Sequence, residues 1–280
     1  MRIVRYAHNG HVGVGVRGGD RITPTRYADM LDLIHDGVEI LSTEGQREGA
    51  TLPLGECRLL APIGAPSKLI FSGLNYHSHT EENPGAVLPT YPQCFAKLPS
   101  SVIGPDAAIV LPTAEMQVDY EVELAVVIGK EARGVTRADA LDHVFGYTVA
   151  NDISARDVQF RDNQITTGKG FDTFCPLGPE IVLRDEIPDP SALRVASYVN
   201  GERRQDSPTS DMIFDVATLI EFFSAYITFY PGDIITTGTP AGVGAFRKPP
   251  VYLRPGDTVT VEVDAIGRLT NPVVAGWQDR

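Results

Sequence analysis

Two glutamates lie two residues apart in the stretch 118–129, which is rich in β-branched and apolar residues. That composition predicts a β-strand. Side chains two apart share one face of a strand, so Glu121 and Glu123 should point the same way, with Cα atoms roughly 7 Å apart. Residues 124–128 are all apolar, which is typical of a strand buried on both faces. Two carboxylates at the end of such a strand need a positive charge beside them, and a hard divalent cation supplies it most simply.

A third carboxylate follows the next predicted strand. Residues 144–150 form a second apolar run that leads directly into Asn151 and Asp152. Asp152 would complete a triad with Glu121 and Glu123 that suits Mg²⁺ or Mn²⁺ and leaves octahedral positions open for water and substrate. The simpler alternative is a set of strand ends that only reach solvent.

Proton-transfer groups are densest in residues 74–85, which follow a predicted strand at 68–73. If this segment forms a helical turn, His79 and Glu82 lie on one face. A carboxylate beside an imidazole fixes its orientation, which suits a general base that activates water. Three alternatives stay open: His77 and His79 as metal ligands, a polar surface loop, or a mobile lid that extends to residue 92.

Two glycine-containing segments could bind an anion. Lys169 lies between Gly168 and Gly170, but the spacing is not that of a P-loop, so nucleotide binding is not predicted. The apolar segment that follows favours an amine facing a pocket over a surface lysine. Residues 237–244 leave a predicted strand, and their backbone N–H groups and threonine hydroxyls could hold a substrate carboxylate. A tight turn explains the same composition.

The elements that must position these groups fall into two units. Residues 1–66 predict a small N-terminal domain with a hairpin turn at Asn9–Gly10 and an amphipathic helix over about 27–34. It carries no cluster of catalytic residue types. A proline- and glycine-rich linker leads into the second unit, 67–280, where an apolar stripe predicts an amphipathic helix over about 213–226.

Composition excludes several classes of protein. Of the 280 residues 42% are hydrophobic and 21% charged, which is ordinary for a globular chain. The net charge of −12 argues against nucleic acid or an anionic membrane as a partner. Three cysteines at unrelated spacing argue against a disulfide framework and a thiolate metal site. No apolar run could span a bilayer and the N-terminus lacks a signal peptide's apolar core, so a cytoplasmic location is expected.

Five motifs in this order resemble the fumarylacetoacetate hydrolase superfamily, and its smaller bacterial members in particular, over about residues 67–275. The motifs are Asn75-Tyr76-x-x-His79-x-x-Glu82, Glu121-x-Glu123, Asn151-Asp152-x-Ser154-Ala155-Arg156-Asp157, Lys169-Gly170-Phe171-Asp172 and Thr237-Gly238-Thr239-Pro240-x-Gly242-Val243-Gly244. The resemblance implies an α+β, β-rich fold, in which a mixed β-roll catalytic domain follows a small N-terminal α/β domain. It also implies a homodimer with Mg²⁺ or Mn²⁺ in the site.

The resemblance also assigns roles to individual residues. Carried over position by position, the metal ligands are Glu121, Glu123 and Asp152, the water-activating dyad is His79 and Glu82, Lys169 stabilises an enolate or oxyanion, and Arg156, Gln159 and Thr239 orient the substrate's oxygens. The family member that ends tyrosine breakdown has a further aspartate ligand where this chain has Ser72. The smaller bacterial members, which use three protein ligands, are therefore the better match.

The leading hypothesis is a metal-dependent hydrolase that cleaves a C–C bond in acylpyruvate-like (2,4-diketo) acids through a metal-bound pyruvate enolate, as in aromatic catabolism. The cation would chelate the 2-oxo acid, and water activated by His79 and Glu82 would attack C4. The alternatives on the same site are an oxaloacetate-type decarboxylase and an isomerase of 2-hydroxydienoates. A non-enzymatic alternative is a β-rich binding module whose acidic cluster holds a structural ion.

Overall fold

Strands form most of the regular structure. The computed structural model describes residues 1–42, 49–83, 85–161 and 164–276. Its strands are β1 (Arg2–His8), β2 (His11–Gly18), β3 (Arg21–Pro24), β4 (Leu52–Pro53), β5 (Arg58–Leu60), β6 (Leu69–Ser72), β7 (Cys94–Ala96), β8 (Val102–Ile103), β9 (Ile109–Leu111), β10 (Val118–Asp119), β11 (Val122–Ile128), β12 (Val144–Asn151), β13 (Ser154–Ala155), β14 (Cys175–Leu183), β15 (Arg194–Val199), β16 (Glu202–Pro208), β17 (Ile234–Thr236), β18 (Thr258–Val263) and β19 (Gly267–Ala275). Its α-helices are α1 (Met30–Asp36), α2 (His77–Glu82), α3 (Arg156–Gln159), α4 (Ile165–Lys169) and α5 (Val216–Ser224).

The N-terminal strands form an antiparallel ribbon that joins the rest of the chain through β1. The predicted hairpin at Asn9–Gly10 is confirmed, with His8 opposite His11 across the turn. On its other edge β1 pairs with β14, where Arg2 lies opposite Val182. The N-terminal strands therefore continue the main sheet, and a domain boundary at residue 66 stays a prediction.

The main sheet has β11 and β12 near its centre. Its strand order is β4-β3-β2-β1-β14-β12-β11-β17-β6-β7, with β5 paired to β1 and β8 paired to β14. All seven residues of β11 are buried. Leu124 and Val126 belong to the hydrophobic core on one face, while Ala125 and Val127 belong to the core on the other. The prediction of a strand buried on both faces is confirmed.

Each face of this sheet is covered by a different layer. Helix α5, within the range predicted for it, and a second sheet of order β16-β15-β18-β19-β9 share a core with Val126. On the opposite face, helix α1 packs Leu33 and Ile34 into a core with Val127. Short helices around mixed sheets confirm the predicted strand-rich α+β class. Across the described parts of the chain, no helix combines the length and apolar character that crossing a membrane requires.

Candidate active site

Three acidic side chains converge where β11 begins and β12 ends. Glu123 is the second residue of β11, Glu121 directly precedes that strand, and Asp152 directly follows β12. The backbone N–H of Asp152 donates to the carbonyl of Glu121 at 2.9 Å, which ties the two chain segments together. One carboxylate oxygen from each residue lies within 4.8 Å of the others, and all three residues are buried. The structure thus brings the three predicted metal ligands into one cluster.

The strand predicted over 118–129 is interrupted at this cluster. Tyr120 and Glu121 separate β10 from β11, because β10 pairs with β13 in a two-stranded sheet whereas β11 pairs with β12. The backbone N–H of Glu121 donates to the side-chain oxygen of Asn151 at 3.1 Å instead of to a strand carbonyl. The prediction of one continuous strand is wrong, and Glu121 reaches the cluster from the crossing between two sheets.

Buried lysine and arginine side chains bind two of the three carboxylates. Lys169 donates through Nζ to Glu121 Oε2 and to Asp152 Oδ2, both at 2.6 Å. Arg156 Nη2 donates to Glu121 Oε1 at 2.5 Å. Lys97 binds the other oxygen of Asp152, with Nζ at 2.6 Å from Oδ1. Charge-assisted bonds of this length fix the two carboxylates in place.

The third carboxylate has a different charge environment. Burial alone would raise the pKa of Glu121, but the positive charges of Arg156 and Lys169 outweigh it and hold that pKa below its ordinary value. The pKa of Glu123 is raised well above its ordinary value by burial and by the negative charges of Asp152 and Glu121. A divalent cation would neutralise the charge that Glu123 carries when ionised. The three oxygen donors and their charge therefore fit a hard divalent metal.

A histidine–glutamate pair lies in the predicted helical turn, which is confirmed as α2. His79 donates through Nδ1 to Glu82 Oε1 at 2.7 Å, so Nε2 is assigned as the ring's acceptor nitrogen. Glu82 Oε2 accepts the backbone N–H of Gly242 at 2.8 Å. The rings of His79 and Phe246 lie 5.9 Å apart between centroids. The imidazole is therefore oriented through its Nδ1 edge and packed against an aromatic ring.

One cavity of about 220 Å³ joins the acidic cluster to this pair. Seven of the nine predicted site residues line it, namely His79, Glu121, Glu123, Arg156, Gln159, Lys169 and Thr239. The other two contact residues of the wall, since Glu82 binds His79 and Asp152 binds Lys169. Ser72 also lines the cavity, and its hydroxyl donates to the carbonyl of Thr236 at 2.7 Å. Pro84, in the segment predicted as a loop or lid, lies outside the described residues.

The residues predicted to orient the substrate differ in their existing partners. Arg156 Nη1 donates to Gln159 Oε1 at 2.9 Å, which leaves the amide nitrogen of Gln159 as a donor. The hydroxyl of Thr239 donates to the carbonyl of Val122 at 2.8 Å and accepts from Gln205 Nε2 at 2.7 Å. Thr239 is thus bound to the protein through its side chain, and its substrate-binding role stays a prediction.

The glycine-rich loop after β17 binds the protein's own carboxylates. Three of its backbone N–H groups donate to acidic side chains: Gly238 to Glu123, Gly242 to Glu82 and Gly244 to Asp119. These N–H groups were predicted to be available for a substrate carboxylate. In the structure they anchor the loop to the acidic cluster, to the histidine–glutamate pair and to Asp119.

Three buried polar residues beside the site are absent from the sequence prediction. Lys97 binds Asp152, Asp119 binds Arg156, and Gln205 binds Thr239. A signal for Asp119 exists, because it precedes Glu121 at the same two-residue spacing that joins Glu121 to Glu123. Lys97 and Gln205 have no such local signal, since their partners are distant in sequence.

In this strand-rich fold, a lysine, a histidine–glutamate pair and a buried acidic triad that could hold a metal ion lie around one cavity, as in an enzyme's active site. Residues 68–274 match the family model described as fumarylacetoacetate (FAA) hydrolase C-terminal. Residues 1–62 match the model described as Rv2993c-like, N-terminal. The chain belongs to the fumarylacetoacetate hydrolase family, which confirms the resemblance seen in the five motifs.

Named relatives and solved structures of similar proteins align with nearly the whole chain. The human protein named oxaloacetate tautomerase FAHD2A, mitochondrial, is 45% identical over 267 residues, which are 94% of this chain and 85% of that protein. The structure of a fumarylacetoacetate hydrolase from Exiguobacterium antarcticum is 38% identical with a TM-score of 0.86, covering 98% of this chain and 99% of that one. The structure of 2-hydroxyhepta-2,4-diene-1,7-dioate isomerase from Mycobacterium marinum is 38% identical with a TM-score of 0.82, covering 99% and 100%. These similarities confirm the predicted fold and an enzyme of this family.

Proposed function

We propose that this chain interconverts the enol and keto forms of a small dicarboxylic 2-oxo acid of the oxaloacetate type, with Mg²⁺ or Mn²⁺ held by Glu121, Glu123 and Asp152. The observation that carries the proposal is the presence of one oriented imidazole, His79, and one ammonium, Lys169, in the cavity that meets the acidic cluster. The name of the human relative supports the substrate class. A cavity of about 220 Å³ suits a small acid.

The chain's own residues can move the proton that tautomerisation requires. His79 accepts the proton of the C2 hydroxyl at Nε2 and returns it to C3, which is bonded to C2 and so within reach of the same ring. Glu82 keeps the imidazole in the required tautomer by accepting from Nδ1 at 2.7 Å. Lys169 stabilises the negative charge that develops on the C2 oxygen. A bound divalent cation would supply Lewis acidity toward the carboxylate and the C2 oxygen.

Hydrolysis of an acylpyruvate-like acid is the second candidate, and the same histidine–glutamate pair favours it. His79 would take a proton from water, the resulting hydroxide would attack C4, and the C3–C4 bond would break while Lys169 stabilises the enolate. The similarity to the hydrolase from Exiguobacterium antarcticum agrees with this reaction. Decarboxylation of oxaloacetate would need the same enolate stabilisation without water.

One assay separates these reactions. Protein stripped with EDTA and reloaded with Mg²⁺ or Mn²⁺ is mixed with the enol form of oxaloacetate, and the loss of enol absorbance is followed. Pyruvate is measured in parallel with lactate dehydrogenase, with oxaloacetate or acetylpyruvate as substrate. We expect metal-dependent enol loss without pyruvate. Pyruvate formed from acetylpyruvate, with no acceleration of enol loss, would indicate a hydrolase. Pyruvate formed from oxaloacetate would indicate a decarboxylase. Full activity in the EDTA-stripped protein would refute the requirement for a metal ion.

Two histidines of the same helix give a matched pair of variants. His79→Gln should slow enol loss by about 10²–10⁴-fold, because the proton carrier is removed. His77→Gln should leave the rate unchanged, because His77 is exposed and lies two residues away on α2. Equal rates for both variants would contradict the role given to His79.

Assembly and location are also proposals. We expect a homodimer, which sedimentation equilibrium would test directly. We expect a cytoplasmic location, although the name of the human relative places that protein in mitochondria. Cell fractionation would decide between the two compartments.

A further inference from the structure

Asp119 is a fully buried carboxylate to which the proposed reaction gives no direct role. Its side chain is 0% exposed. Oδ2 accepts from Arg156 Nε at 2.9 Å and from the backbone N–H of Ala245 at 3.0 Å, while Oδ1 accepts the N–H of Gly244 at 2.6 Å. Oδ1 also accepts the N–H of Tyr120 at 2.9 Å. Four donors on one carboxylate bring together chain segments that are distant in sequence.

One set of these bonds leads to the acidic cluster. Arg156 is 3% exposed, and the same guanidinium that binds Asp119 places Nη2 on Glu121 Oε1 and Nη1 on Gln159 Oε1. A planar guanidinium held at Nε has little freedom left at its other nitrogens. Asp119 thereby fixes the orientation of a group that contacts a predicted metal ligand.

The other set leads to the histidine–glutamate pair. Gly244 and Ala245 begin a 3-10 turn that ends at Phe246, whose ring packs against His79. The turn closes tightly on the carboxylate, because a Cβ atom at Gly244 would lie 2.8 Å from Asp119 Oδ1 and 1.9 Å from the carbonyl oxygen of Val251. Asp119 therefore also fixes the turn that presents Phe246.

We propose that Asp119 is a positioning residue that couples the two halves of the site, setting Arg156 against Glu121 and Phe246 against His79 at the same time. The inference rests on the proposed function for its effect on rate, but its structural part holds for any reaction at this site. Only a carboxylate satisfies the arrangement, because its two oxygens accept from all four donors. In Asp119→Asn, the amide NH₂ would face either the N–H groups of Arg156 Nε and Ala245 or those of Gly244 and Tyr120, and two donors cannot bond to each other.

The test observes His79 directly by NMR of its imidazole signals in metal-free protein. Loss of the His79 signal in His79→Gln assigns it. Phe246→Leu should shift the signal by removing the neighbouring ring. Asp119→Asn should shift it in the same direction, and adding Phe246→Leu to Asp119→Asn should change it little further. An unshifted His79 signal in Asp119→Asn, or two additive shifts, would overturn the coupling.

A second route avoids dependence on one variant that could fail to fold. Gly244→Ala keeps the carboxylate but forces the turn away from it, so it should reproduce the His79 shift. Glu180→Gln is the matched control, because Glu180 is also 0% exposed and pairs with two arginines, Arg2 and Arg17, outside the cavity. It should leave the His79 signal in place. A wild-type signal in Gly244→Ala would also count against the proposal.

Metal binding and turnover distinguish a coupling residue from a merely structural one. Asp119→Asn should weaken Mn²⁺ binding by about 10- to 100-fold, because the partner that orients Arg156 is lost. It should lower kcat by about 10- to 100-fold with a smaller change in KM, because His79 is displaced from the reacting carbon. Phe246→Leu should affect kcat but not Mn²⁺ binding. If the wild-type chain binds no metal, the proposed function fails while the His79 shift still tests Asp119.

Discussion

Binding of Mn²⁺ should release up to one proton from each chain at pH values below the raised pKa of Glu123, and Glu123 is the source. Burial and the charges of Asp152 and Glu121 raise the pKa of Glu123 well above its ordinary value, so below that pKa the metal-free protein holds the proton. A carboxylate must lose its proton to ligate a metal. Metal affinity should therefore increase with pH until the pKa of Glu123 is passed.

The magnitude follows from linkage. While Glu123 is protonated in the metal-free protein, each unit of pH should change the apparent dissociation constant about tenfold, or about 1.4 kcal/mol. Glu121 should add nothing to this slope. Arg156 and Lys169 outweigh its burial and hold its pKa below the ordinary value, so it is already ionised at neutral pH.

Isothermal titration calorimetry in two buffers of different ionisation enthalpy, repeated across a series of pH values, counts the released protons. Glu123→Gln is the control, since the amide keeps an oxygen donor in the same place but has no proton to lose. We expect about one proton more from the wild type than from the variant, as the linkage argument requires. Equal proton release from both proteins at every pH would refute the assignment to Glu123.

Three further substitutions test how much single side chains contribute to the free energy of unfolding, each measured by urea denaturation in EDTA. Lys97→Met should cost about 3–5 kcal/mol, because it leaves the buried Asp152 without its second cation; a loss below about 1 kcal/mol would contradict the buried pair. Glu180→Gln should cost less, about 1–3 kcal/mol, because both arginine partners are partly exposed; a larger loss than that of Lys97→Met would reverse this ranking. Phe223→Ala should cost about 3–5 kcal/mol through a cavity between α5 and the sheet; a near-neutral result would show that the core collapses around it.

Local sequence patterns predict the parts of the fold that local physics decides. The apolar run at 124–128 identifies a strand buried on both faces, because successive side chains point to opposite faces and every residue of the run is apolar. The Asn9–Gly10 pair identifies the first hairpin, because Asn-Gly is a preferred sequence for a two-residue hairpin turn. His79 and Glu82 are three apart on one helix, so their contact is also local. The sequence alone therefore predicts these features.

Contacts between distant segments could not be predicted in this way. A hydrogen bond joins Gly244 to Asp119, which lies 125 positions away in the sequence. No local pattern in either segment predicts this contact. The break at Tyr120 depends on which sheet each flanking strand joins, which is decided by tertiary pairing. The sequence predicts the acidic cluster together with Arg156 and Lys169, whereas two residues that help to hold it in place, Lys97 and Asp119, are not predicted.

The helix that carries Lys169 shows the same limit. Glycine disfavours helix, yet α4 includes Gly168 and ends at Lys169. A Cβ atom at Gly168 would lie 2.7 Å from the Cα of Gln159, so the glycine is required by the close approach of α3. A tertiary contact outweighs the local preference, and it places the lysine beside the acidic cluster.

The pairing of β1 with β14 has a consequence for how this chain could be divided. The two family matches meet between residues 62 and 68, which suggests a place to cut. A chain trimmed there would turn β14 into an open edge at Ile181 and Val182, and an unpaired edge strand is a template for aggregation. It would also remove both arginine partners of Glu180, whose side chain is 0% exposed. The N-terminal segment therefore covers an edge of the main sheet that would otherwise be open.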